Sequence, residues 1–114
     1  MERRHNIGEF EETVLLVTAT QQGEAYGFSI TTVIEEELGR SVNMSSVHTA
    51  LYRLEEKGYV KSALREASEE RGGRRKRLFS ITSSGTAALQ EARKHRQYLW
   101  DRIPEYILSG GSGE

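Results

Sequence analysis

The sequence predicts a mainly helical α+β fold: three short helices, a two-stranded hairpin and a longer C-terminal helix. Three observations lead to it. Apolar residues recur at helical spacing up to residue 57 and again from residue 83. Between these stretches the period falls to two, as strands require. Glycines stand where the helical patterns stop, at Gly23, Gly39 and Gly58.

The first helix is expected over residues 8–21, with Phe10, Val14 and Val17 on one stripe and Leu15 and Leu16 widening it. A turn, Gly23-Glu24-Ala25-Tyr26-Gly27, follows. The second helix spans about Phe28 to Leu38, with Ile30, Val33, Ile34 and Leu38 inward, and Gly39 suits the left-handed residue after its end. The third runs from about Met44 to Lys57, with Asn43 as N-cap. Val47, Ala50, Leu51 and Leu54 form its narrow apolar stripe. Residues 59–65 and 77–82 read as strands, and the eleven residues between them make a long charged hairpin tip. The fourth helix starts near Ser83, with Thr82 or Ser83 as N-cap, and reaches roughly Arg102. Leu89, Ala92, Arg96, Leu99, Ile103 and Tyr106 alternate spacings of three and four, a heptad-like seam. Pro104, the single proline, should kink or end this helix. Residues 109–114 are Gly/Ser-rich and read as a flexible tail.

A chain of 114 residues suits one domain with a modest core. It has no cysteine, which excludes disulfides and thiolate metal sites and agrees with a reducing, cytoplasmic setting. No apolar run approaches the roughly 20 residues that span a bilayer, so no membrane partner is expected. The opening Met1-Glu2-Arg3-Arg4-His5 does not read as a signal peptide. Sixteen basic and seventeen acidic residues leave a net charge of −1, which speaks against nucleic-acid binding until their distribution is considered. Acids gather at Glu11-Glu12, Glu35 to Glu37, Glu55-Glu56 and Glu69-Glu70. Cations gather at Arg71 to Arg77 and near Arg93 to Arg96. A local basic face can hold DNA whatever the sum.

The hairpin tip is one candidate site. Arg71, Arg74, Arg75, Lys76 and Arg77 put five cations within seven residues, and Gly72-Gly73 permits a tight turn and close backbone approach. Guanidinium suits phosphate oxygens, and an arginine tip can enter a minor groove. The plain alternative is a solvated loop balanced by Glu66, Glu69 and Glu70. The third helix is the other candidate. Ser45, Ser46, His48, Thr49, Tyr52 and Arg53 lie opposite its apolar stripe, and small polar residues at the N-terminal turns let a helix enter the major groove. The plain alternative is an ordinary solvated helix face.

No catalytic arrangement emerges. His5, His48 and His95 lack metal-ligand spacing, and no nucleophile elbow or phosphate-cradling loop is present. Glu35-Glu36-Glu37 reads as a solvated face. No cofactor is implied. Trp100, beside Leu99 and Ile103, is expected to pack at a self-association seam or against the first helix, and a pocket stacking a flat ligand is the alternative.

Four stretches together resemble the PadR family of bacterial winged-helix regulators, in its short single-domain form. They are Leu15-Leu16 through the Ala25-Tyr26-Gly27 turn, Ser46 to Gly58, Arg71 to Phe79, and Ser80-Ile81-Thr82-Ser83-Ser84-Gly85, and they cover residues 8 to about 90. One departure is His48, where the family usually has tyrosine. The resemblance implies a winged helix-turn-helix DNA-binding domain over residues 1–82 and a dimerisation helix over 83–108. It implies a homodimer that binds double-stranded DNA at a palindromic operator and represses a nearby gene. For some short members it also implies a small aromatic effector at the dimer interface. The site residues then become Ser45, Ser46, His48, Thr49, Tyr52, Arg53, Arg71, Gly72, Gly73, Arg74, Arg75 and Lys76 for DNA, and Leu89, Ala92, Arg96, Leu99, Trp100 and Ile103 for the dimer. Two other functions fit the same scaffold: a protein-interaction module, favoured by the near-neutral charge, and a ligand sensor built around Trp100.

Overall fold

A computed structural model describes residues 7–66 and 75–110. Its elements are α1 (Glu9–Thr20), α2 (Gly27–Glu36), α3 (Met44–Glu56), β1 (Val60–Arg65), β2 (Lys76–Ile81), α4 (Ser83–Trp100) and α5 (Glu105–Leu108). The strands pair antiparallel, with Val60 opposite Ile81 and Arg65 opposite Lys76. This is the expected winged-helix order, three helices followed by a hairpin and a longer helix.

The expected apolar stripes of α1 and α3 make the core. Val14, Leu15 and Val17 from α1 meet Ile30 and Ile34 from α2 and Val47, Ala50, Leu51 and Leu54 from α3, all buried. Each fully buried aliphatic side chain contributes about 1.5–3 kcal/mol relative to exposure, so these three helices carry most of the stability. Phe79 is the largest fully buried side chain, and it locks β2 onto this layer. The Phe79 N–H also donates to the Ala25 carbonyl at 2.8 Å, so the turn before α2 pairs with β2 as an isolated bridge. Thr18, fully buried, donates its hydroxyl to the Val14 carbonyl at 2.8 Å and so satisfies itself within α1.

Local chemistry sets the boundaries. Asn43 caps α3 by accepting the Ser46 N–H at 2.8 Å, and Thr82 caps α4 by accepting the Gly85 N–H at 3.1 Å. Gly39 and Gly58 have φ of 65° and 82°, the left-handed backbone that ends α2 and α3. Gly85 is needed for a different reason. A Cβ there would lie 2.2 Å from the Tyr59 carbonyl oxygen, where α4 passes the start of β1.

Three expectations need correcting. Leu16 does not widen the buried stripe of α1; it is exposed and borders α4. Leu38 does not join the inner face of α2, because the helix ends at Glu36 and Leu38 turns outward. The fourth helix stops at Trp100, short of Arg102. Pro104 disfavours helical backbone at Ile103 and instead opens α5, so Ile103 and Tyr106 lie beyond the helix on which the seam was drawn.

Candidate nucleic-acid interface

α3 presents its polar side as expected, with Ser45, Ser46, Thr49, Tyr52 and Arg53 exposed. The Ser45 hydroxyl donates to Asn43 Oδ1 at 2.8 Å. Its oxygen is left to accept, which suits a base amino group. His48 is the exception on this face. It is half-buried, and its ring fills the space where any Cβ at Gly27 would sit, 2.6 Å from Nε2. Nδ1 is shielded and has no hydrogen-bond partner among the described residues.

The root of the hairpin stands beside this ring. Lys76 places its ammonium 4.1 Å from the centre of the Tyr26 ring, a cation–π contact. Arg75 is exposed, and Arg77 donates to Ser62 Oγ at 3.0 Å. A cleft of about 490 Å³ separates these cations from Phe28, Met44 and His48. Arg71, Gly72, Gly73 and Arg74, named as wing residues from the sequence, lie outside the described residues. The structure thus brings together α3, the hairpin root and the start of α2. Sequence reasoning missed Tyr26, Gly27, Phe28 and Met44 as part of this wall. The signal was available for Phe28: inward residues at 30, 33 and 34 put it on the opposite side of α2, where it is 57% exposed.

A second cleft, also about 490 Å³, lies between the start of α1 and Ser45, Ser46, Thr49 and Arg53. Its acids are paired. Glu11 accepts from Lys57 Nζ at 2.8 Å and stands 4.0 Å from Arg53. Glu9 binds the Arg40 guanidinium through both oxygens, at 2.8 and 3.0 Å. That hydrogen bonding holds the Glu9 carboxyl below its ordinary range. Its small stabilising effect is therefore present at neutral pH and lost as pH falls through the carboxylate range. Glu11 also restrains Arg53, a cation of α3. Glu11→Gln should release Arg53 and tighten binding to any duplex about two- to fivefold at low salt, a surface pair with one exposed partner being worth about 0.2–1 kcal/mol. Anisotropy titration at two salt concentrations reads this, and unchanged affinity would show that Arg53 meets no phosphate.

On the far side of α1, a groove of about 470 Å³ runs along α4, bordered by Leu16, Leu89 and Trp100. Leu89 and Ala92 are half-covered by their own chain, whereas Leu99 and Trp100 are 65% and 56% exposed. Arg96, a cation on the expected seam, is paired with Glu12 at 2.8 Å. Among the described residues no cluster of metal-ligating side chains occurs, and no helix is long and apolar enough to cross a membrane.

The family model for PadR-like transcriptional regulators matches residues 14–91, most of the chain, from the middle of α1 into α4. The chain belongs to the PadR-like family. Solved structures agree with a PadR-like fold. The Streptococcus mutans UA159 protein smu.1704 superposes with a TM-score of 0.68 at 23% identity, covering 100% of this chain and 99% of that one. A PadR-like transcriptional regulator from Bacillus cereus ATCC 14579 gives 0.68 at 19% identity over 92% and 93% of the two chains. Bacillus subtilis PadR, solved in complex with operator DNA, gives 0.62 at 22% identity, covering 90% of this chain but 56% of its own. No curated protein matches. In this PadR-like chain the matched segment contains α3, the hairpin root and the Gly85 junction, whereas Leu99, Trp100 and Ile103 lie beyond it.

Proposed function

We propose that this PadR-like regulator binds double-stranded DNA as a homodimer and represses from a palindromic operator. The observation that supports this reading is that α3, with Ser45, Ser46, Thr49, Tyr52 and Arg53 exposed, shares a cleft with the cationic root of the hairpin through Met44 and His48. A reading helix needs small polar side chains at its start, and a wing needs cations at phosphate height. Ser45, Ser46, Thr49 and Tyr52 are assigned to base edges, with Arg53, Arg75, Lys76 and the wing residues Arg71, Gly72, Gly73 and Arg74 on the backbone. Residues 1–82 form the DNA-binding part and 83–108 the dimerisation part. Leu89, Ala92, Arg96, Leu99, Trp100 and Ile103 face the second copy, and two α3 helices then enter major grooves roughly 34 Å apart. The B. subtilis relative's operator complex supports this reading. A regulator of this kind works in the cytoplasm.

A gel shift with the DNA upstream of its own gene tests the reading directly. If about eight phosphates are contacted per dimer, log K falls with log salt at a slope of about −7. Replacing Arg74 and Arg75 by alanine should flatten that slope, and an unchanged slope would remove the wing from the interface. Ser46→Ala or Thr49→Ala should change sequence preference instead, by about 1–3 kcal/mol per lost base contact.

The groove beside Trp100 favours one addition, a flat aromatic effector. Its volume, about 470 Å³, falls in the range of small-molecule sites. Quenching of Trp100 fluorescence by planar aromatic compounds would support an effector, and a silent panel would count against it.

A further inference from the structure

Building on the dimer reading, we propose that α5 of each copy docks into the groove between α1 and α4 of the other, so that this short last helix latches the dimer shut. The proposed α4 seam ends at Ile103, and α5 lies beyond it. Packing within its own chain does not account for α5. It has four residues, and none of them is buried. An isolated helical turn is unstable in water, because nucleation fixes several residues for a single hydrogen bond. Pro104 gives α5 a start but no packing.

The end of the chain is an uncovered arm. From Arg93 to Leu108 every residue except Ile103 is exposed. The radius of gyration is 17.3 Å, where a compact domain of about 100 residues has about 13 Å. Tyr98, Leu99, Trp100, Tyr106, Ile107 and Leu108 are the large apolar residues of this arm, and each is about half exposed. Half of an aromatic side chain is about 100 Å², so together they leave on the order of 600 Å² in water. That is the top of the range for the largest apolar patch of a monomer, about 300–600 Å², and most of the roughly 800 Å² that each partner buries in a stable dimer.

The groove between α1 and α4 offers what α5 lacks. It measures about 470 Å³, it is bordered by Leu16, Leu89 and Trp100, and no α5 residue of the same chain lines it. Leu16 is about half exposed there, an apolar floor without a cover. The charges also match. Arg93 lines the groove, α5 opens with Glu105, and neither has an ion pair among the described residues. The other cation on the rim, Arg96, is already taken by Glu12. Two α4 helices running antiparallel bring the α5 end of one copy beside the α1 end of the other. A two-fold axis then makes the two latches identical.

The test is self-association of the full chain, followed by analytical ultracentrifugation over a range of concentrations. Ile107→Glu should raise the dimer Kd at least about 30-fold, the scale of an interface anchor, with an unchanged circular dichroism spectrum. Leu64→Glu, at an equally exposed leucine on β1, should leave the dimer as it is. Arg93→Glu and Glu105→Arg should each weaken the dimer about two- to fivefold. Mixed together, these two variants should form heterodimers above the share expected from random pairing, because only then are both latches matched. Native mass spectrometry counts the species. Random pairing would place α5 against its own chain and overturn the exchange between copies. An Ile107→Glu dimer as tight as the wild type overturns the role of α5 and leaves the α4 seam standing. A wild-type chain that is monomeric at every concentration overturns the dimer reading and the latch together.

Discussion

Gly85→Ala should destabilise the fold by about 3 kcal/mol, near the top of the usual range for forcing atoms into a packed site. The added methyl would sit 2.2 Å from the Tyr59 carbonyl oxygen and 2.8 Å from Ile81 Cγ1. The first of these is backbone and cannot swing aside. It is also in use, since the Tyr59 carbonyl accepts the Thr82 N–H at 3.0 Å, and Thr82 donates its hydroxyl to the Gly58 carbonyl at 2.6 Å. Relieving the clash would pull α4 away from β1 and break the cap that starts α4. At about 4–8 °C per kcal/mol for a domain near this size, the melting temperature should fall by about 15 °C. Urea unfolding followed by circular dichroism measures the loss. Gly8→Ala is the matched control, with nothing within 4 Å of the new methyl. A loss below about 1 kcal/mol for Gly85→Ala would mean that the junction has slack the structure does not show.

The second large effect concerns Trp100. Trp100→Glu should leave the monomer folded, because the side chain is more than half exposed, and should abolish the proposed dimer. Two half-sites held by one linked pair of reading helices gain about 10²–10⁴ in affinity over separate binding. Operator affinity should therefore drop at least about 100-fold, while binding to a single half-site is unchanged. Analytical ultracentrifugation reads the first effect and anisotropy the second. A variant that remains dimeric would remove Trp100 from the seam. A monomeric variant with full operator affinity would show that the two reading helices do not act as a pair.

Much of this was legible before the structure, and the reasons differ by element. The α3 stripe at 47, 50, 51 and 54 was read correctly because a short helix buried on one face carries an uncluttered periodic signal, and Asn43 marked its start. The wing strands were found because Phe79 and Ile81 alternate with Leu78 and Ser80. Leu16 and Leu38 were misplaced because hydrophobicity gives preference for burial and not its location; each sits at the edge of its stripe, where a rotation of one residue decides the outcome. The end of α4 was misjudged by only two residues, since the influence of a proline reaches upstream by an amount that pattern alone does not set. For the candidate interface, the sequence named α3 and the wing cations but not the wall from α2. The contact between His48 and Gly27 spans 21 positions and two helices, and no local pattern encodes it. The pairing of Glu11 with Lys57 and Arg53 was hidden for the same reason.

The bridge between Ala25 and Phe79 has a consequence for how regulators of this shape diversify. It fastens the hairpin at its root, at the level of the core, by pairing β2 with the turn before α2. Residues between Arg65 and Lys76 can therefore be lengthened, shortened or exchanged while the strands stay seated, since doubling the length of a connection costs only about 0.6 kcal/mol. The connection between the strands is thus an exchangeable stretch of sequence on a fixed mount. Its length and charge can change without renegotiating the packing that keeps the chain folded.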